Sequence, residues 1–133
     1  MDTNVLVAAL RSRQGASFEI LRRLRFGEWT TVLSNHLLFE YEEVLKRQAQ
    51  ELGLSLEDVD ELLNAVCARG EKCVLSHGWQ PILTDPDDEP LVQLAIESDA
   101  LRIVSHNVRH LRPASRLGVD LLRPREFLDK LRL

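Results

Sequence analysis

The strongest constraint on this chain is an alternation. Short apolar, β-branched runs stand between longer stretches of helical periodicity. Trp29 to Leu33 (WTTVL), Lys72 to Leu75, Leu101 to Ser105 (LRIVS) and Val119 to Leu122 suit strands, and Asn4 to Leu10 suits a buried strand running into a helix. Between them, Gly15-Ala16-Ser17 introduces a helix carrying Phe18, Leu21, Leu24 and Phe26 and ending near Gly27. Ser34 caps a helix with Leu37, Leu38, Tyr41, Val44 and Leu45 on one side. Ser55 and Asp58 form a variant capping box for a helix bearing Leu56, Val59, Leu62, Leu63 and Val66, and Gly70 is placed to stop it. Pro90 opens a helix through Leu94 and Ala95 to Glu97, and Pro124 opens a closing helix with Phe127, Leu128 and Leu131. Strands alternating with helices imply βαβ units and a mainly parallel sheet covered on both faces. At 133 residues, one domain spanning 1–133 is expected.

Composition narrows the classes. Apolar residues are 44% and charged residues 29% of the chain, which suits a globular domain rather than a disordered one. No apolar stretch approaches the ~20 residues of a membrane span, and no basic-then-apolar leader is visible, so a cytoplasmic location is expected. A net charge of −4 argues against a protein that coats nucleic acid generally, yet it does not exclude a nuclease, since an acidic metal site lowers net charge by itself. Cys67 and Cys73 form no CxxC pair and are expected as buried free thiols. His36, His77, His106 and His110 offer no zinc-like pair on one helix face and read as surface or capping residues.

Ligands in open parallel sheets lie beyond the carboxyl ends of the strands, so acids at strand–helix junctions matter most. Asp2 precedes the first apolar run. Glu40 lies at the edge of the apolar arc of its helix, about 40° from Val44. Asp85, Asp87, Asp88 and Glu89 crowd five positions ahead of another helix, where one acid would serve as a cap. Packing like charges is unfavourable unless a cation or solvent relieves them, and a hard divalent ion takes oxygen ligands from separate elements. Ser105 and Asn107 end the strand of IVSHNVRHL and offer oxygens for orienting bonds or a weak metal contact.

In this order the pieces resemble the PIN-domain family, in particular its VapC-like toxin branch. The motifs are DTNVLV from Asp2, LLFEYEEVL with Glu40, DPDDEPLVQLA with Asp88, IVSHNVRHL, and the closing LGVDLLRPREFL. The resemblance implies a three-layer α/β/α sandwich and a Mg²⁺- or Mn²⁺-dependent ribonuclease, the toxin of a toxin–antitoxin pair, with RNA as substrate, an antitoxin protein as partner and a homodimeric state. It makes Asp2, Glu40 and Asp88 the catalytic and metal-holding acids, with Asp2 closing the first strand. Asn107 and Asp85 are further metal-facing oxygens, and Asn4 and Ser105 are orienting or substrate-contacting residues. Arginines near the site are expected to hold substrate phosphates, no single one being marked.

Two positions depart from the family pattern. Most members carry an aspartate where this chain has Asn107, which keeps a carbonyl oxygen but loses a charge; Asp85 or Asp87 is placed to compensate. Members also usually carry several apolar residues ahead of the first aspartate, where this sequence has Met1 alone. The α-amine is then expected close to Asp2, favouring its ionised form while competing with a metal. Both departures favour an alternative, a catalytically weak or inactive PIN-like module that binds RNA or a protein partner. A phosphoryl-transfer receiver or phosphatase is disfavoured by the absence of a DxDx[TV] pattern and of a strand-end lysine.

Overall fold

The structure, a computed structural model, describes residues 1–131. β1 (Thr31–Leu33) pairs in parallel with β2 (Gly70–Lys72), and β3 (Arg102–Val104) pairs in parallel with β4 (Asp120–Leu122). Among the described residues six α-helices accompany them: α1 (Thr3–Arg11), α2 (Ala16–Arg25), α3 (Asn35–Leu52), α4 (Leu56–Ala68), α5 (Glu89–Glu97) and α6 (Pro124–Leu131). Short 3-10 turns cover Pro86–Asp88 and Val108–Leu117.

Alternate strand residues face opposite ways. Ile103 packs with Val92 and Ala95 of α5 and with Leu111, whereas Val104 packs with Val5 of α1, Ile20 of α2 and Phe127 of α6. Helices therefore cover both sides of the strands, giving the three-layer α/β/α arrangement. The largest core cluster joins α1, α2 and β1 to the α3–α4 hairpin through Leu6, Leu24, Leu33, Leu45 and Val59, around a fully buried Tyr41. No helix among the described residues is long and apolar enough to cross a membrane.

The caps form as the sequence suggests. Ser34 Oγ accepts from the Leu37 N–H at 3.1 Å. Ser55 and Asp58 cap one another at 3.0 and 2.9 Å. Gly70 has a role beyond ending a helix: a Cβ there would stand 2.5 Å from Leu33 Cδ1, so glycine is what lets β2 close onto β1.

Several expectations are corrected. Asn4 to Leu10 is not a strand; Thr3–Arg11 is helical, burying Val5, Leu6 and Ala9 at helical spacing. Asp2 therefore sits at the N-cap of α1 in extended conformation rather than closing a strand. The second strand begins two residues earlier than Lys72 to Leu75, because the ladder follows the Gly70 approach. α2 buries Ser17, Ile20, Leu21 and Leu24, leaving Phe26 69% exposed with Arg22 over its ring. Cys67 is exposed and Cys73 half-buried, since Cys67 falls off the Val59–Leu62–Leu63–Val66 face of α4.

One absence shapes the rest. Among the described residues β1 and β3 are each paired on one side only, and residues of both line a common slot of about 230 Å³ together with Leu94 and Ala95 of α5 and Phe127 of α6. Met1 lies in this slot, and the Asp2 N–H donates to the Val104 carbonyl at 2.9 Å, a single rung on the open edge of β3. The Tyr41 hydroxyl donates to the Met1 carbonyl. Burial pushes the Met1 α-amine below its ordinary value, with neighbouring Asp2 opposing.

Candidate metal centre

Asp2, Glu40 and Asp88 arrive from three elements: the start of α1, the second turn of α3 and the junction ahead of α5. They line one small cleft together with His36 and Asp87, and the same three acids line the adjoining wider groove with Asn107. Asp85 is outside both sets of lining residues; it is exposed and caps the Asp87 N–H at 2.9 Å. Of the two acids placed to offset Asn107, the structure therefore puts Asp87 at the cleft.

Asp2 is held from behind. Ser105, fully buried, donates from Oγ to Asp2 Oδ2 at 2.6 Å, and Asn4 Nδ2 approaches the same oxygen at 3.3 Å. Asn4 Oδ1 accepts from the His106 N–H at 3.2 Å, and Ser105 Oγ accepts from the Asn107 N–H at 2.9 Å. Both side-chain bonds to Asp2 fall on Oδ2, leaving Oδ1 for another partner. This is the orienting arrangement that supports carboxylate ligands in metal sites. Ser105→Ala removes the buried donor to Asp2 and leaves the Asn107 N–H and Asn4 Nδ2 without the oxygen they donate to. The expected result is a loss of about 1–3 kcal/mol, or roughly 5 °C in Tm, with weaker Mn²⁺ binding, read by thermal melts with and without the ion. Unchanged melting and unchanged Mn²⁺ binding would contradict the role given to this serine.

The other two acids are strained electrostatically. Burial is the main cause that raises Glu40, with Asp2 and Asp88 adding to it and His36 opposing. Burial also leads for Asp88, with Asp85, Asp2 and Asp87 adding and His110 opposing. Thr3 Oγ1 is buried beside Glu40, close enough to favour its ionised form, yet among the described residues it has no partner in hydrogen-bond geometry.

The donor set fits a hard cation in chemistry: carboxylates from separate elements, an oriented Asp2, mutual repulsion to relieve and an unpartnered hydroxyl. It does not yet form a closed ligand cage. Among the described residues, no three His, Cys, Asp or Glu side chains stand close enough to ligate one ion directly.

The sequence did not mark His36, which lies one residue before the buried Leu37 yet lines the cleft, nor Thr3, Arg11 and Gln48, which line the groove. Their helical spacing from Glu40 and Asp2 was the available signal: Gln48 is two turns beyond Glu40 on the same face.

The family model for the PIN domain matches residues 1–109, most of the chain, and the chain belongs to the PIN-domain family. PIN domains are generally metal-dependent nucleases acting on RNA or DNA. No curated protein and no solved structure matches the chain.

Proposed function

We propose that the protein is a Mg²⁺- or Mn²⁺-dependent endoribonuclease. The observation that carries this reading is the cleft shared by Asp2, Glu40 and Asp88, with Asp2 fixed by buried Ser105. The three acids would hold the cation, and Asp87 and the Asn107 carbonyl would add oxygens at its edge. When bound, the cation would polarise a phosphoryl oxygen and lower the pKa of a bound water, the two demands of phosphodiester hydrolysis. The protein's part is positional. Ser105 and Asn4 hold Asp2 on one oxygen, so its other oxygen keeps a fixed aim. Glu40 and Asp88, raised by burial, are poor carboxylates alone and gain most from a counter-charge. The test is incubation of structured and unstructured RNA with Mn²⁺, with and without chelator. Cleavage that chelation stops supports the reading, and intact RNA under all conditions opposes it.

The pKa directions give a second expectation. Both raised carboxyls bind a proton more tightly folded than unfolded. Their contribution to stability is therefore present at low pH and lost as pH rises through the raised values. A cation competes with those protons. Mn²⁺ at about one hundred times its Kd is expected to stabilise by about 2.7 kcal/mol at pH 7, on the order of 8 °C in Tm. The gain should be smaller at a pH well below 7 than at pH 7, because falling pH favours the protonated form of the raised carboxyls against the ion. An equal gain at both pH values would contradict ligation by Glu40 and Asp88.

The toxin role, an antitoxin partner and a homodimer are proposed on the likeness of the five motifs to the VapC-like branch. The weakly active, partner-binding alternative is favoured by one observation, the exposed Asn107 at the groove where the wider family carries an acid. Mn²⁺ binding without RNA cleavage would select it.

A further inference from the structure

We propose that Glu89 is a positioning residue for the metal centre: its buried carboxylate clamps the segment leading into α5 and so sets where its neighbour Asp88 stands. The proposal rests on the metal-dependent reading and adds to it a residue outside the lining of both cleft and groove. Of the acids crowded from Asp85 to Glu89, Asp87 and Asp88 line the cleft and Asp85 caps the turn. Glu89 is the one that turns inward, at 7% exposure. Its Oε1 accepts from the Ile82 N–H at 2.6 Å and from the Leu83 N–H, and its Oε2 accepts from Trp79 Nε1 at 2.8 Å. It forms no ion pair among the described residues. Burying a carboxylate is costly, and here three neutral N–H groups stand in for the lost water.

All three donors belong to one segment. Residues 73–85 join β2 to the 3-10 turn with no helix or strand of their own, so their amides need partners from elsewhere. Trp79, Ile82 and Leu83 pack on the cluster around Val92 and Ile103, and Glu89 bonds that same stretch to the first turn of α5. The helix dipole favours an acid in this turn, which accounts for the charge but not for three bonds to one segment. Asp88 needs such a fixture. Asp2 is held by Ser105 and Asn4, whereas the Asp88 side chain makes no capping bond in α5. Its direction follows from the backbone on either side. Its N–H donates to the Asp85 carbonyl at 3.2 Å, closing the 3-10 turn, and the next residue is the clamped Glu89. A ligand whose support loosens loses affinity while keeping its charge.

The test is calorimetric titration of Mn²⁺ into the whole protein and its variants, well below each variant's Tm. Glu89→Gln keeps the size but has one acceptor oxygen for two, and its amide NH₂ must face an N–H donor. It should weaken Mn²⁺ binding roughly tenfold. Trp79→Phe removes one donor and should weaken binding about threefold. In the double variant the Gln amide no longer opposes the indole N–H, so affinity should recover above that of Glu89→Gln alone. On the Asp88→Asn background, Glu89→Gln should cost less than about a further twofold, because its effect passes through Asp88. Glu97→Gln is the control: Glu97 accepts from the Ser76 N–H at 2.7 Å and ties the other end of the same segment to α5. It should lower Tm and leave Mn²⁺ affinity within about twofold. Unchanged affinity in Glu89→Gln, an equal loss in Glu97→Gln, a double variant no better than Glu89→Gln, or a full tenfold loss added to Asp88→Asn would overturn the positioning role alone. If Glu89→Gln does not fold, Trp79→Phe decides, and unchanged affinity there overturns the role. A parent protein that binds no Mn²⁺ would overturn the metal-dependent reading, and this role with it.

Discussion

Asp88→Asn is expected to lower RNA cleavage by about 10³-fold or more, equivalent to roughly 4 kcal/mol of barrier, while the protein stays folded. The second half of that statement is what makes the first informative. Asp88 is raised mainly by burial and further by Asp85, Asp2 and Asp87, so the neutral amide removes a repulsion from the metal-free protein. Its metal-free Tm should equal or slightly exceed the parent's at pH 7. Glu40→Gln should behave the same way for the same reason. Activity lost without stability lost separates a ligand from a structural acid. A variant that cleaves at the parent's rate, or that fails to fold, would contradict the role given to Asp88.

An N-terminal extension of five apolar, β-branched residues joined directly to Met1 is expected to raise Tm by about 10 °C. The slot is lined by residues of β1 and β3, each paired with a single strand among the described residues, and the Asp2 N–H already makes one rung on Val104. A strand in the slot would lie about 4.8 Å from each neighbour, bond to both and bury its side chains against α5 on one face and Phe127 of α6 on the other. Burying each Val or Ile contributes about 1.5–3 kcal/mol, and ordering it costs about 1.5, so five residues with their backbone bonds leave a net gain of about 3 kcal/mol. The extension also moves the α-amine out of its buried position and ties Asp2 into a ladder, so Mn²⁺ affinity should rise with stability. A Gly-Ser extension of equal length should produce neither effect, because it buries nothing and adds chain entropy. Equal melting temperatures and equal Mn²⁺ affinity in the two extended proteins would reject the slot as a strand receptor.

Much of the layered architecture was legible because strands and helices here obey different periods. The capping serines, the face of α4 and the strand around Ile103 followed from residue type and spacing alone. The first segment did not, because an almost continuous apolar run fits a buried strand or a buried helix equally well, and only packing against α2 and α3 decides. The free edges of β1 and β3 were invisible for a related reason: a missing neighbour is a property of pairing, and each strand reads the same with one partner or two. At the site, Asp2, Glu40 and Asp88 stood out as acids at element junctions. Asp85 and Asp87 could not be told apart, since the direction of each side chain is set by the 3-10 turn at Pro86. Arg11 and His36 were illegible as groove residues because α1 and α3, 37 residues apart at the Arg11–Gln48 contact, must first pack together.

The central claim is that three carboxylates far apart in the chain share one divalent ion. Calorimetric titration of Mn²⁺ into the parent protein and into Asp2→Asn, Glu40→Gln and Asp88→Asn at pH 7 tests it most directly. The account predicts saturable binding to the parent, weakened at least about tenfold by each substitution taken singly. Binding that survives any one of the three undiminished, or a parent protein that binds no Mn²⁺, would contradict it.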